Sequence, residues 1–179
     1  MLRKVIVGIR DWYLVNVKWK NYHIGQNFHA GRNVVLWAKS HINIGNNCYI
    51  GRNSQIECNT IIGNNVIIGN NVALVGRYDH HYQQIGIPIR QASQIRDKDY
   101  NWLELKNEVF IADDVWVGYG ATILSGVKIS QGTIVSAGAL ISKNTEPYGI
   151  YAGIPAKRIS DRFDTKDDLI NHIKILKES

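Results

Sequence analysis

The stretch IIGNNVIIGNNVALVGRYDHHYQQIG, residues 61–86, begins as a repeat of six residues and breaks at Asp79, His80 and His81. Within the repeat an aliphatic residue recurs at every sixth position and is followed by glycine and asparagine. This spacing fits neither an amphipathic helix, which repeats about every 3.6 residues, nor a half-buried strand, which repeats every second residue. It is typical of a triangular coil, in which each hexad makes one short strand and one corner.

The repeat runs through most of the 179 residues in two blocks. A second repeated position follows four residues after each aliphatic one, and Tyr78 is the last of these in the first block. Three hexads close one coil of about 18 residues, and coils stack about 4.8 Å apart. The sequence predicts an all-β fold, a parallel β-helix of about five coils over residues 24–159. The aliphatic positions are Ile44, Ile50, Ile56, Ile62, Ile68 and Leu74, then Ile111, Val117, Ile123, Ile129, Val135 and Ile141.

The first 23 residues lack the repeat and mix apolar side chains with Arg and Lys. We expect residues 1–23 to form a capping segment, helical in part, that covers the open end of the apolar prism. The basic face of this segment also fits a weak association with a membrane surface.

The last 20 residues, 160–179, are predicted to contain a C-terminal helix that begins near residue 166. Thr165 and Asp168 form a capping box at its start. Leu169, Ile173 and Leu176 fall on one stripe of that helix. We expect the stripe to pack on the flank of the coil or on a neighbouring subunit.

Between the two blocks the hexads are missing from about residue 80 to residue 108. Long excursions from a compact scaffold are usually functional or disordered. This one has too much apolar material for disorder, so we predict an ordered inserted loop. Its large apolar residues are Tyr82, Ile85, Ile87, Ile89, Tyr100 and Trp102.

Composition limits the remaining classes of protein to which the chain could belong. At 45% hydrophobic and 20% charged residues, the chain fits a single globular domain. Its apolar runs are shorter than the roughly 20 residues that span a bilayer, and no signal peptide is recognisable, which indicates the cytoplasm. Cys48 and Cys58 are predicted to be reduced thiols packed in the solenoid. The formal charge of +6 favours anionic partners.

Three pieces of the sequence together resemble the hexapeptide-repeat acyltransferases, and among them the galactoside, maltose and exopolysaccharide (colanic-acid-type) O-acetyltransferases. These pieces are the hexads, the block IADDVWVGYGATILSGVKISQGTIVSAGALISKNT at residues 111–145, and YAGIPAKRI at residues 151–159. The resemblance implies a left-handed β-helix assembled as a homotrimer. It also implies that acetyl-CoA lies in a groove between coils and that a loop histidine from a neighbouring subunit approaches it.

The resemblance places the catalytic base in the loop that follows Leu74. A sugar hydroxyl needs a base at neutral pH, and imidazole has the side-chain pKa nearest to working pH. His80 is favoured because DHHY matches the loop pattern of polysaccharide-type relatives, and His81 remains the alternative. For the thioester oxyanion, the motif WVGYG implies the backbone N–H of Tyr119 as donor.

The same resemblance implies which residues hold acetyl-CoA, and it implies no metal. Small residues would let the pantetheine chain approach the coil, and basic residues would meet its phosphates. The predicted set is Trp116, Tyr119, Ala137, Ser142, Lys143, Lys157 and Arg158.

The acceptor is predicted to be a saccharide, part of a surface polysaccharide or a glycoside, since Tyr82, Tyr100 and Trp102 could stack on sugar faces. The alternatives are N-acetyl transfer to an amino sugar and a non-catalytic CoA-binding scaffold. Chloramphenicol-type enzymes share the fold but have a different histidine-loop pattern. A zinc carbonic anhydrase is disfavoured because residues 111–141 contain no histidine. Nucleic acid is not expected as a partner, because the aromatic and basic residues are not interleaved.

Overall fold

The computed structural model describes the backbone of residues 2–178 and the side chains of residues 7–178. Three parallel sheets form the faces of a prism. Sheet A contains β1 (His23–Ile24), β4 (Ile42–Ile44), β7 (Thr60–Ile62), β10 (Val109–Ile111) and β13 (Lys128–Ile129). Sheet B contains β2 (His29–Ala30), β5 (Tyr49–Ile50), β8 (Ile67–Ile68), β11 (Trp116–Val117), β14 (Ile134–Val135) and β16 (Gly149–Gly153). Sheet C contains β3 (Val35–Leu36), β6 (Gln55–Glu57), β9 (Ala73–Val75), β12 (Thr122–Leu124) and β15 (Leu140–Ile141).

The chain visits sheets A, B and C in turn, so three consecutive strands make one coil. Coil 1 is β1–β3 and coil 5 is β13–β15, which confirms the predicted parallel β-helix of about five coils. A final strand, β17 (Ala156–Asp161), pairs antiparallel with β16 and closes the C-terminal end of sheet B. This hairpin was not expected, because its strands follow the last hexad and have no repeat of six residues.

The predicted aliphatic positions form the core. In coil 4, Ile111, Val117 and Ile123 come from the three sheets and are each 0% exposed. Burial of such a side chain contributes about 1.5–3 kcal/mol. Cys48 and Cys58 lie in this core as free thiols, as predicted, and burial raises the pKa of Cys58 to about 12.

The corners explain why asparagine, aspartate and glycine follow each aliphatic residue. At the corners between sheets A and B and between sheets B and C, one residue per coil has a positive φ, which asparagine, aspartate and glycine tolerate best. Asparagine side chains also join the coils, since the Asn46 N–H donates to Asn64 Oδ1 at 2.8 Å. The residues with positive φ are Asn27, Asn33, Asn47, Asn53, Asn65, Asn71 and Asp114, then Gly120, Gly132 and Gly138.

The N-terminal segment caps the open end of coil 1. Helix α1 (Leu2–Tyr13) leads into a π-helical turn (Leu14–Lys18). Trp19 is buried and meets Phe28 edge to face, with ring centroids 6.1 Å apart. The capping role and the partly helical structure expected for this segment are present in the part that the structure describes.

The C-terminal helix α2 (Lys166–Glu178) begins with the predicted capping box, in which the Asp168 N–H donates to Thr165 Oγ1 at 3.1 Å. It lies on the flank of its own solenoid, because His172 Nε2 and Arg162 Nη1 reach Asp114 Oδ2 at 3.0 and 2.6 Å. Leu169 and Ile173 of the expected stripe are half-buried, whereas Leu176 is 40% exposed.

Truncation of a core residue in coil 4 should be much more costly than truncation on the surface. Ile123→Ala leaves a cavity between two coils and should lower the free energy of unfolding by about 2–5 kcal/mol. Ile85→Ala removes the same atoms from a side chain that is 99% exposed and should change stability by less than about 0.5 kcal/mol. Equal losses in denaturant titrations of the two variants would contradict this account of the core.

Candidate active site

The inserted loop occupies residues 76–108, between β9 and β10, and begins four residues before the expected start. Tyr78, which keeps the spacing of the repeat, lies outside the prism with its ring 5.5 Å from that of Trp102. The corresponding inward residues of other coils, Thr60, Val127 and Thr145, are buried and much smaller than tyrosine. A tyrosine does not fit this corner, so the chain leaves the repeat after Val75.

Glu104, in a short 3₁₀ turn (Leu103–Lys106), anchors the loop to the solenoid. Its buried Oε2 accepts hydrogen bonds from the Tyr78 N–H and from Ser125 Oγ, each at 2.9 Å. Its Oε1 has no partner among the described residues. Burial raises the pKa of Glu104, and the hydrogen bonds from Ser125 and Tyr78 oppose that rise.

Further contacts hold the loop against coils 1 and 2 of its own chain. The Arg96 guanidinium lies 4.0 Å from the centroid of the Trp37 ring and 3.6 Å from Glu57 Oε2. Lys39 Nζ donates to the Asp97 carbonyl at 2.5 Å. The loop is therefore an ordered arm that follows one edge of sheet C, as predicted.

The two candidate histidines occupy different surroundings. His80 Nδ1 and Asp79 Oδ1 are both buried and lack hydrogen-bond partners in the described part of the chain. Burial raises the pKa of Asp79, and the neighbouring His80 works in the opposite direction. His81 instead stacks on Trp102, with ring centroids 4.4 Å apart. Of the two histidines, His80 is therefore the one with a ring nitrogen shielded from water, and His81 is the one packed on an aromatic ring.

The aromatic side chains of the loop divide into two groups. Tyr82 is 51% exposed and packs against the half-buried Trp102. Tyr100 is 3% exposed and donates its hydroxyl to the Tyr78 carbonyl at 2.6 Å. The expectation that Tyr100 could stack on a sugar is therefore wrong, because its ring is enclosed by the loop it supports.

Tyr119 and Ala137 lie one above the other at the BC corner, defined as residues 31–34, 51–54, 69–72, 118–121 and 136–139. The Tyr119 carbonyl accepts the Gly138 N–H at 2.8 Å, and its hydroxyl accepts Asn71 Nδ2 at 2.6 Å. A Cβ at Gly118 would lie 2.6 Å from the Ala137 nitrogen, so only glycine fits below Ala137.

The backbone N–H of Tyr119 has no acceptor among the described residues. Its two neighbours do, since the Gly118 N–H donates to Val135 at 2.7 Å and the Gly120 N–H to Asn70 at 3.0 Å. Trp116, two positions before Gly118 on β11, is 54% exposed. A free donor beside an exposed aromatic ring is suited to bind a carbonyl oxygen.

The basic residues predicted for the phosphates differ in their environment. Lys157 is exposed and pairs with Ala152 next to the β16–β17 turn, above the BC corner of coil 5. Arg158 is held by Glu146 Oε2 and Asp161 Oδ1, each at 2.5 Å. These two carboxylates already balance the charge that the prediction assigned to a phosphate.

Ser142 and Lys143 lie away from Tyr119, at the CA corner, which comprises residues 37–41, 58–59, 76–108, 125–127 and 142–144. Arg77, three residues before His80, connects the inserted loop to coil 5, because its Nη2 donates to the Ser142 carbonyl at 2.8 Å. The width of sheet C separates the CA corner from the BC corner. A single chain therefore groups the histidines with Ser142 and Lys143, and groups Trp116, Tyr119, Ala137 and Lys157 separately.

The sequence interpretation missed Arg77 and Glu104, which fix the loop. Neither has a signal in the hexad pattern, because both act through bonds that exist only after the loop has folded. In the described part of the chain, no three His, Cys, Asp or Glu side chains are grouped as metal ligands.

Comparison with known proteins agrees with this architecture. Residues 41–76 match the family model described as bacterial transferase hexapeptide (six repeats). This match identifies residues 41–76 as hexapeptide repeats. It is 46% identical over 61 residues to a probable macrolide acetyltransferase of Lysinibacillus sphaericus, covering 34% of each protein. It is 37% identical over 70 residues to a chloramphenicol acetyltransferase of Escherichia coli, covering 39% of this chain and 33% of that one. The chain thus spans about a third of the length of the curated relatives that it matches.

Solved structures share the fold over more of the chain. A mutant of AntD, an N-acyltransferase from Bacillus cereus in complex with dTDP and coenzyme A, aligns with a TM-score of 0.61 at 16% identity, over 92% of this chain and 96% of that one. The hexapeptide-repeat acetyltransferase VCA0836 of Vibrio cholerae, complexed with acetyl coenzyme A, has a TM-score of 0.61 at 20% identity, over 79% and 72%. At these identities the similarity describes the fold.

Glu104→Gln should stabilise the protein increasingly as the pH rises. The folded chain holds the Glu104 proton more tightly than the unfolded chain, so its stabilisation is complete below the ordinary pKa of 4.5 and is lost as the pH rises through the folded value. Glutamine does not titrate and keeps an acceptor for Tyr78 and Ser125. The difference in Tm, variant minus parent, should grow between pH 4 and pH 8. Glu178→Gln, at an exposed position of α2, is the control, and a Tm difference for Glu104→Gln that stays constant or falls with pH would contradict the account.

Proposed function

We propose that this protein is a CoA-dependent acetyltransferase that moves an acetyl group from acetyl-CoA to a hydroxyl of a saccharide, with His80 as general base. The observation that carries the proposal is the free N–H of Tyr119 between two hydrogen-bonded neighbours. A preorganised donor of this kind stabilises the negative charge that develops on a thioester oxygen.

The BC corner fits acetyl-CoA in shape and charge. A Cβ on Gly120 or Gly138 would meet nothing within 4 Å, so the surface beside Tyr119 is open. Lys157 at the upper end supplies a positive charge with no carboxylate partner among the described residues. The open surface at Gly120 and Gly138 would hold the pantetheine chain, and Lys157 would bind a phosphate. Arg158 is already paired with two carboxylates and would contribute less to phosphate binding.

His80 would take the proton from the acceptor hydroxyl as its oxygen attacks the thioester carbonyl. The carbon–sulfur bond then breaks, and the imidazolium returns the proton to the departing thiolate. His80 Nδ1 is buried without a partner among the described residues, whereas the His81 ring stacks on Trp102, and this difference supports His80 over His81. His81 remains the alternative base.

We propose a homotrimer as the active form, because the two groups of predicted residues lie at opposite edges of sheet C. A second copy would bring the CA corner of one subunit to the BC corner of another and complete the site. The exposed apolar residues of sheet B, Tyr49, Ile67 and Trp116, also support contact between copies.

The acceptor is proposed to be a saccharide hydroxyl because Tyr82 and Trp102 present a partly open aromatic surface beside His81. N-acetyl transfer to an amino sugar is the second candidate, supported by the shared fold of AntD, an N-acyltransferase. The macrolide and chloramphenicol acetyltransferases match over only about a third of their length, so their acceptors do not decide the acceptor of this chain. We assign the choice of acceptor to the inserted loop. The free buried thiols agree with the cytoplasm as the proposed location.

Calorimetric titration with acetyl-CoA tests the cofactor site without knowledge of the acceptor. We expect saturable binding near one site per subunit, weakened about tenfold by Lys157→Ala through loss of one phosphate contact. Lys174→Ala, which removes an exposed charge from α2, should bind as the parent does. Absence of binding at millimolar acetyl-CoA would overturn the enzyme proposal, and sedimentation of the same samples would report the trimer.

In a screen of neutral and acidic glycosides and amino sugars, His80→Ala should abolish acetyl transfer and leave acetyl-CoA affinity nearly unchanged. His81→Ala is the matched comparison, since it should retain transfer if His80 is the base. Undiminished turnover in His80→Ala would remove this residue from the mechanism. Products carrying an amide in place of an ester would select the second candidate.

A further inference from the structure

Two arginines share the column of residues that contains the predicted oxyanion donor. The strand pairings place His29 beside Tyr49, Tyr49 beside Ile67, Ile67 beside Trp116 and Trp116 beside Ile134. Three residues further along, the same register stacks one residue from each coil at the BC corner. From coil 1 to coil 5 this column reads Arg32, Arg52, Asn70, Tyr119 and Ala137.

The backbone of both arginines is fixed by the asparagines of the corner. The Arg52 N–H donates to Asn70 Oδ1 at 2.9 Å. The carbonyls of Arg32 and Arg52 accept the N–H groups of Asn53 and Asn71, each at 2.9 Å. The two side chains therefore start from neighbouring positions about 4.8 Å apart, the spacing of adjacent strands.

Both arginine side chains are exposed, and neither forms an ion pair with a carboxylate in the described residues. Two stacked guanidinium groups without a counter-charge repel each other. With Gly31, Tyr49 and Asn70 they line a shallow depression of about 380 Å³. The residues that line the depression are suited to bind an anion, because guanidinium groups bind phosphate and carboxylate through paired N–H donors.

The position of this depression relates it to the reaction. Arg52 lies two coils from Tyr119, or about 10 Å, and Arg32 lies three coils away, or about 15 Å. That span is close to the length of a short oligosaccharide. A hydroxyl at Tyr119 and an acidic group at the arginines could thus belong to one molecule.

We propose that the acceptor is an anionic saccharide whose phosphate or carboxylate binds Arg32 and Arg52. This inference rests on the proposed acetyl transfer, since it assigns a substrate class to the same site. The two arginines are specificity residues that hold the far end of the acceptor and take no part in the chemistry.

Direct binding of three probes tests the assignment: glucose 1-phosphate, glucuronic acid and methyl glucoside. Calorimetry at low salt should show the anionic probe that matches the natural acceptor binding at least tenfold more tightly than methyl glucoside. The double variant Arg32→Gln/Arg52→Gln should lose that advantage, and Lys174→Gln, with one exposed charge removed from α2, should keep it. Tighter binding of glucose 1-phosphate would identify a phosphate as the anionic group of the acceptor, and tighter binding of glucuronic acid would identify a carboxylate.

Equal binding of all three probes, no binding of either anion at millimolar concentration, or an unaffected double variant would overturn the proposal. Acetyl-CoA titration of the double variant separates the outcomes. A tenfold loss of acetyl-CoA affinity would assign the arginines to the phosphates of coenzyme A and refute an acceptor role. If the parent protein binds the anionic probes but does not bind acetyl-CoA, the proposed enzyme activity is refuted and the anion site at the arginines stands.

A second observation concerns helix α1, where the most buried of the described side chains, in residues 7–13, is the polar Asp11. Asp11 is 6% exposed and binds His29 Nδ1 at 2.6 Å and Arg10 Nη2 at 2.7 Å. Ile9, Trp12 and Tyr13 point away and are 64, 62 and 51% exposed. A helix on the surface of a globular protein normally shows the opposite arrangement.

The charges around this apolar face are positive. Lys18 and Lys20 are exposed in the segment that follows the helix, and the one acid between residues 7 and 20, Asp11, is buried and paired. Tryptophan and tyrosine favour the boundary between headgroups and acyl chains. None of the helices that the structure describes has the length and apolarity needed to span a bilayer. We infer that α1 lies flat on an anionic membrane surface, with Ile9 and Trp12 inserted.

Sedimentation with vesicles of phosphatidylcholine, with and without phosphatidylglycerol, tests this second inference. The parent should sediment with the anionic vesicles and much less with the neutral ones. Ile9→Asp/Trp12→Asp should reduce the bound fraction several-fold, and Ile85→Asp, at another exposed isoleucine, should not. Unchanged binding in the double variant, or dissociation of its oligomer in velocity sedimentation without lipid, would assign the face to something other than a membrane.

Discussion

The structure depends on one constraint: each coil must return to its starting point so that the next coil stacks in register. Short strands alone do not provide this, because the chain must turn sharply at the corners between sheets. Asparagine, aspartate or glycine supplies the left-handed backbone conformation at the AB and BC corners of each coil. Once the corners are fixed, equivalent positions fall into straight columns about 4.8 Å apart. Core and candidate site are both built from such columns.

The hexad pattern was sufficient to predict the core of the fold. The inward positions from Ile44 to Ile141 are buried as predicted, because a repeat of six residues permits one arrangement of strands and corners. The exceptions lie where the repeat meets another requirement. Tyr78 satisfies the spacing but not the size limit of its corner, and the β16–β17 hairpin follows the last hexad and has no period.

The candidate site was less predictable, because it depends on contacts that no local pattern encodes. Tyr119 and Ala137 could be named from a motif, and the structure stacks them in one column. The burial of Tyr100, the pairing of Arg158 and the anchoring of the loop by Glu104 depend on residues far apart in the chain. These side chains are positioned by the folded loop and hairpin, so spacing along the sequence carries no information about them.

The loop enters and leaves at a single corner, and the strands on either side of it still pair, β7 with β10, β8 with β11 and β9 with β12. The solenoid therefore passes beneath the insertion without a change in register. Evolution can lengthen, shorten or replace this arm without moving the Tyr119 N–H or the arginine column. Changes in the arm and changes at the coil corners are then independent events, and a lineage could alter one surface while conserving the other.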